Sequence, residues 1–308
     1  MNYRSISIYQ LLLQLMRAVA VVSSSAVAVL STMLPLFIYY AFSFSTLFFT
    51  MLFLLAGAFA VHGVLTHAFN DYSDHLSGTD TLSPALLSGG SRVIQEGHIS
   101  PDALLTLGKA LGGLLLLAAA VAAVFGFIPV AVLLVVGVWA AASYSLPPFQ
   151  FSYTPLAGEW LSLFPSIFVL GLAGPWLILG SVPEWGYQNA AVNALLCLAW
   201  VMVHHIPDQK ADRRASPVKN TTVVWAVSRF GPAAAKVPAL IYLMLAAGCA
   251  LWIGSDRIWA AAGALIFIGL SLLLVWKMNV HDIRQVTQHE KWLLLLAMAA
   301  AIWLGLFI

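Results

Sequence analysis

Charge is scarce in this sequence: Asp, Glu, Lys and Arg make up 8% of 308 residues, where soluble domains carry about 25%. So little charge cannot cover a water-facing surface, which excludes an ordinary soluble domain. The net charge is only +2, and no basic patch interleaved with aromatics occurs, which excludes nucleic acid as a partner. Cysteine is scarcer still. Cys197 and Cys249 both lie inside apolar runs, so they imply neither a disulfide framework nor a metal site and read as small buried hydrophobes.

What the chain has in abundance is hydrocarbon. Apolar side chains account for 61% of it, and its mean hydropathy is +0.92. A bilayer core about 30 Å thick needs roughly 20 apolar residues per helix. About nine such runs occur, near 19–41, 45–69, 102–125, 127–145, 159–181, 188–207, 234–254, 257–277 and 290–308. The expected fold is all-α: one polytopic membrane domain over 1–308, with two polar loops capping one end. At the start, "MNYRSISIYQLLLQLMRAVAVVSSSAVA" has the outline of a secretory signal, but Arg17 interrupts its apolar run, so no cleaved peptide is expected. With the N-terminus in the cytoplasm, thirteen of the fourteen Lys and Arg fall on the cytoplasmic side or at helix ends there, and only Arg257 lies opposite.

The polar loops are unequal. The outer ones, such as "SFST" and "GSDR", are short turns, whereas the two longest, 70–101 and 208–233, share the cytoplasmic face. Six of the twelve acidic residues lie in or beside these two: Asp71, Asp74, Asp80, Glu96, Asp208 and Asp212. The arrangement is duplicated, an acidic helix end followed by a Gly/Ser/Pro-containing loop with basic residues. The helices between are too uniform in composition to establish an internal repeat.

Spacing gives these acids a direction. If the second helix continues past the membrane boundary, Asn70 and Asp74 stand at i and i+4 with Asp71 beside them, and His67 is one turn earlier. Asp208 and Asp212 repeat the spacing, with His204 one turn before. Like carboxylates so placed repel, more strongly near hydrocarbon, so something positive should offset them. Hard oxygen ligands favour Mg²⁺, which keeps several waters and bridges one or two carboxylates to substrate phosphate. Paired acidic motifs at one cavity mouth therefore suggest a cation and diphosphate site, with Arg92, Lys210, Arg213, Arg214 and Lys219 as candidate holders of phosphate oxygens. Plainer readings stand beside this one. A carboxylate pair beside a membrane also describes a solvated helix end, and the basic residues also satisfy the positive-inside rule. The histidines fit neutral, hydrogen-bonded positions, and Asp102, Asp256, Asp282 and Glu290 fit helix caps or solvated charges.

The two motifs resemble those of the UbiA superfamily of intramembrane prenyltransferases. "NDYSDHLSGTD" is similar to its first motif, Asn-Asp-x-x-Asp with a further Asp downstream, and "DQKAD" to its second, Asp-x-x-x-Asp. The first is most similar to the menaquinone-pathway branch, which prenylates 1,4-dihydroxy-2-naphthoate. "PDQKADRRASPVKNTTVV" resembles a wider pattern that includes enzymes extending carotenoids. Arg17, "SGGSRVIQEGHIS" and "YSLPPFQFSYTPLAGE" match further family segments, so the resemblance covers most of the chain.

The resemblance implies a helical bundle around a central cavity, in the inner (cell) membrane of a bacterium or archaeon. A polyprenyl diphosphate would bind at the cytoplasmic mouth, its tail in an apolar tunnel, and an aromatic or lipid acceptor would take the prenyl group. Asn70, Asp71, Asp74, Asp208 and Asp212 would carry the reaction, with Mg²⁺ held by Asn70, Asp74, Asp208, Asp212 and Asp80. Arg17, Arg92, Lys210, Arg214 and Lys219 would bind diphosphate. His67, Tyr144, Tyr153, Glu159 and His204 would line the acceptor or allylic-cation pocket. Two departures keep other products open. "YSLPPFQF" offers Gln150 where many relatives carry Lys or Arg, and "HHIPD" stands where many naphthoate enzymes carry Asn-Asn-x-Arg-Asp. Transfer to a non-aromatic lipid such as a carotenoid, or cyclisation of the prenyl diphosphate, therefore remains alongside aromatic prenylation. A cation transporter would put its acids near the bilayer midplane instead.

Overall fold

An apolar segment in hydrocarbon must satisfy every backbone N–H and C=O internally, which leaves the helix as its economical form. The computed structural model describes residues 7–84 and 87–308, so Arg4 lies outside the described residues. Among these residues it is helical with no strand. A short helix, α1 (Ile8–Met16), opens with a capping box in which Ser7 and Gln10 satisfy each other's backbone N–H. Nine helices long and apolar enough to cross a membrane follow among the described residues: α2 (Val19–Tyr39), α3 (Phe44–Ser77), α4 (Pro101–Val124), α5 (Ile128–Ser145), α6 (Glu159–Leu179), α7 (Glu184–His204), α10 (Pro232–Ile253), α11 (Ile258–Trp276) and α12 (Ile283–Leu306). Between α7 and α10 lie the shorter α8 (Gln209–Arg214) and α9 (Thr222–Phe230). The chain is a polytopic integral membrane protein.

Two helices differ from the hydropathy expectation, for one physical reason. α3 has 34 residues, about 51 Å at 1.5 Å per residue, and outruns the hydrocarbon by several turns. Its last turns are amphipathic, so they leave the apolar signal without leaving the helix, which stops only at Gly78 (φ 82°) in the left-handed region. α12 likewise begins at Ile283, where the Asp282 carboxylate accepts from the N–H groups of Arg284 and Gln285. Glu290 is therefore two turns inside a helix and buried, and the expectation of a helix-end or solvated charge is corrected.

α7 is the axis of the bundle. Of its most apolar stretch 89% is buried, against 17% for α4, whose Leu114, Leu117 and Val121 face outward. It packs against α2, α6, α10 and α12. The approach to α6 is close because Gly171 has no side chain: a Cβ there would stand 2.9 Å from Ala190 Cβ and 3.2 Å from its Cα. Such small-residue contacts let membrane helices gain dispersion energy where no hydrophobic drive exists between them. At the end of the bundle away from the acidic motifs, Arg257 donates to Gln188 at 2.8 Å, to Asn189 at 3.0 Å and to the Phe307 carbonyl at 2.8 Å, tying α7 and α12 together.

This packing predicts a contrast between two glycines. Gly171→Ala should destabilise by about 1–3 kcal/mol, because Ala190 lies on rigid backbone and cannot yield. Gly113→Ala, where nothing lies within 4 Å, should be neutral or slightly stabilising, since alanine is the better helix former. Thermal unfolding in detergent, comparing Tm values, checks both.

Candidate functional site

Polar side chains gather at the bundle end where α3 outruns the hydrocarbon. His67, Asn70 and Asp74 form one stripe along α3 and line a cavity of about 160 Å³. Asp208 and Asp212 reach the same cavity from the next motif, with Arg17, Asp80, Tyr144, His204 and Lys219. α7 ends at His204, and Asp208 precedes α8, so Asp212, whose N–H donates to the Asp208 carbonyl at 2.9 Å, sits one turn later on the same side. The two polar loops lock to each other. The Ser216 N–H donates to the Ser77 carbonyl at 2.9 Å, and the Ser83 hydroxyl donates to the Asp208 carboxylate. Gly90, in the left-handed region at φ 74°, lets its loop lie against Asp80, whose carboxylate a Cβ there would strike.

Lys219 is the bridge between the motifs. Its Nζ donates to both oxygens of Asp74, at 2.6 and 2.8 Å, and both side chains are buried. Its backbone N–H donates to the Asp212 carbonyl at 3.0 Å. Burial opposes the lysine's charge, but Asp74 and Asp212 outweigh it and hold its ammonium well above the usual lysine range. Carboxyls outnumber the basic side chains that line the cavity. Burial, and then the Asp74 and Asp71 carboxylates, push Asp80 up to about 8. Burial also raises Asp212 well above the usual carboxylate range; Asp74 and Asp208 add to this, while Lys219 opposes it.

Histidines line the wall below. His67 Nδ1–H donates to the Gly63 carbonyl at 2.7 Å. His204 Nδ1–H donates to Glu290 Oε1 at 2.6 Å, and its Nε2 lies 3.4 Å from the Arg17 guanidinium. His205 Nε2 shares a 3.4 Å hydrogen bond with the Tyr144 hydroxyl, and burial pushes its imidazole well below the usual histidine range. His62 bridges Ser25 (2.6 Å) and Ser166 (2.7 Å). Ser25 and His62 both come from π-helical turns, Val22–Ala26 and Phe59–Leu65, which re-aim side chains inside otherwise regular helices.

Six expected site residues stand elsewhere. Asp71 is one residue round from the cavity stripe and accepts from the Ser91 N–H and hydroxyl. Lys210 and Arg214 are exposed: with Asp208 and Asp212 inward, the 100° step of a helix turns them outward. Arg92 donates to the Asp80 carbonyl at 2.8 Å instead of lining the cavity. Tyr153 lies in an outer groove with Tyr72 and Gln150, its ring 5.8 Å from Lys219 Nζ. Glu159 is buried at the start of α6, outside the cavity lining. Two contributors escaped the sequence reading. Glu290 carried a signal, a carboxylate within a membrane helix, which is functional by default; the serines of "VVSSSAVA" carried another, hydroxyls clustered in an apolar run.

No protein-family model matches the chain, and no curated protein matches its sequence significantly.

The buried pair predicts its own energetics. Lys219→Met leaves the Asp74 charge unpaired and should destabilise by about 3–5 kcal/mol. Adding Asp74→Asn should restore most of that loss, because the remaining groups are neutral. Unfolding in detergent of the two single variants and the double variant measures the coupling.

Proposed function

We propose that this protein is a Mg²⁺-dependent prenyltransferase of the UbiA type, moving a prenyl group from a polyprenyl diphosphate to an aromatic acceptor of the 1,4-dihydroxy-2-naphthoate kind. One observation carries the reading: two acidic motifs from distant parts of the chain line a single cavity, charged where they meet and lined elsewhere by apolar side chains together with neutral histidines and serines. Asp74, Asp80, Asp208 and Asp212 meet there with Arg17 and Lys219, while Ala20, Val21, Leu163, Ile167 and Val201 supply apolar wall beside His62, Ser25 and Ser166.

The donor set fits a divalent cation brought with a diphosphate. Among the described residues no three His, Cys, Asp or Glu side chains form a ready cage for an ion. Mg²⁺ does not ask for one, since it commonly takes one or two carboxylates and completes its shell with water and phosphate. Burial first, and neighbouring carboxylates second, raise Asp80 and Asp212, so a cation entering here would be welcomed by carboxyls that ionise in its presence, and the Asn70 amide, donating to Asp74 at 3.0 Å, leaves its carbonyl oxygen for a ligand. When bound, the cation would neutralise charge on the leaving diphosphate. Arg17 and Lys219 would do the same from the protein, and this favours the transition state because charge grows on those oxygens as the allylic C–O bond breaks. The departing diphosphate keeps the bonding electrons. A ring carbon of the acceptor attacks the allylic cation, and the ring regains aromaticity by losing a proton, or carbon dioxide where a carboxylate sat. The apolar side chains of the cavity would keep water from the cation, and Tyr144, which lines the same cavity, would stabilise it through its π face.

On the same reading, the bias of Lys and Arg supports a site on the cytoplasmic side, in the bacterial or archaeal inner membrane that the family resemblance implies. A second product class has one observation in its favour: the 146–158 loop brings no basic residue to the site, so a cyclase or a transferase acting on a non-aromatic lipid stays in view. Cation transport is disfavoured because the carboxylates lie at one end of the bundle.

Detergent-purified protein given an allylic prenyl diphosphate together with 1,4-dihydroxy-2-naphthoate should release diphosphate only with Mg²⁺, and EDTA should abolish the release. Asp74→Ala and Asp208→Ala should each lower it by about 10²–10³-fold, whereas Lys210→Ala and Arg214→Ala should not. Release that survives EDTA and both aspartate substitutions would sink the mechanism. Release without any acceptor would select the cyclase.

A further inference from the structure

Asn189 and Asn193 stand one turn apart on α7, and only the first is satisfied. Asn189 donates to the carbonyls of Ser31 and Leu304, each at 3.0 Å, and accepts from Arg257 at 3.0 Å. Asn193 is 6% exposed, yet neither its Nδ2 nor its Oδ1 has a hydrogen-bond partner among the described residues. The same holds for Nε1 of Trp200, two turns further along. α7 is the most enclosed helix of the bundle, and an unpaired amide at that depth has no bulk water to turn to.

Asn193 and Trp200 line a narrow side pocket of about 10 Å³ with Ser23 and Ser24. Ser24, Cys197 and Trp200 also line the main cavity, so the two spaces adjoin. A pocket of that size admits one oxygen-sized group and no ring. Two of the unpaired groups, Asn193 Nδ2–H and Trp200 Nε1–H, are donors, and the third, Asn193 Oδ1, is an acceptor. A hydroxyl matches that set, with two lone pairs to accept and one proton to donate. A carbonyl leaves Oδ1 bare, and a hydrocarbon leaves all three bare.

We propose that this side pocket reads a phenolic hydroxyl of the acceptor, whose ring lies in the main cavity against Trp200. Asn193 and Trp200 are then specificity residues: they select hydroxylated aromatics over hydrocarbon acceptors by leaving three polar groups unpaired when the hydroxyl is missing. The inference rests on the acceptor-prenylating reading and chooses within it.

Binding without turnover tests the inference separately from that reading. Calorimetric titration of the full chain in detergent with 1-naphthol and with naphthalene should give a preference for the naphthol of about tenfold or more. Asn193→Leu should bring the ratio of the two affinities close to one, and Trp200→Phe, which keeps the ring and loses the N–H, should lower it by a smaller factor. Should Asn193→Leu fail to fold, Trp200→Phe carries the comparison. An affinity ratio unchanged by either substitution means that the pocket holds only a water, and overturns the proposal. Diphosphate release from the same preparations reports on prenyl transfer independently, so failure of one does not mimic failure of the other.

Discussion

The bond between Lys219 and Asp74 is the constraint on which the functional end of this molecule depends. The two residues are 145 positions apart, and both are buried where an isolated charge would be prohibitive. Each therefore requires the other, and their pairing brings the end of α3 against the segment that follows α8. The backbone of Lys219 is at the same time bonded to Asp212. A single residue thus links the Asp74 carboxylate to the backbone of the second motif. An apolar pair of equal volume would hold the loops together as well or better, so the ionic pair points to a requirement for charge at this place.

That requirement is visible in the remaining balance. Asp80, Asp208 and Asp212 share the cavity with Asp74, while Arg17 and Lys219 are the basic side chains that reach it. Arg17 is itself engaged, with the Leu87 carbonyl and with His204. Burial first, and the neighbouring carboxylates second, push Asp80 up to about 8, so it tends to keep its proton while no cation is near. On the proposed reading a divalent cation would take the place of such protons. The ionised carboxylates would then repel a bare diphosphate and suit one accompanied by the cation, so substrate and metal would be selected together.

Hydropathy alone made the nine membrane helices legible, because a run of twenty apolar residues has few other solutions in a bilayer. It misjudged two ends, at Ser77 and Ile283, where a helix continues as an amphipathic rod and the window reads only the loss of apolarity. Within the site, what followed from helical spacing was recovered. Asn70 and Asp74 share a face, as do Asp208 and Asp212, and each pair meets the cavity. What depended on a chain reversal was not. Nothing local indicates that Arg92 will turn to a carbonyl twelve residues back, or that α8 will carry Lys210 and Arg214 outward with its aspartates inward. Lys219 and Glu290 show the same limit from opposite sides. Both are buried charges whose partners lie on remote segments, and one was chosen for its sign while the other was passed over as a solvated end.

The depth of the cavity follows a different rule from its mouth. At the mouth, charge is balanced against charge, and water can share the burden. Below it, neutral polar groups find partners across helices: His62 takes both Ser25 and Ser166, and nearer the opposite end Asn189 uses both ends of its amide, one of them on the Arg257 guanidinium. These bonds tie α2, α3, α6, α7 and α12 together. Against that background, the Asn193 amide and the Trp200 indole N–H, both without partners among the described residues, contrast with Asn189 one turn away, whose amide is bonded at both ends. In a bilayer, where polar groups are neither free to wander nor cheap to strand, an opening of that kind is the form a recognition site would take.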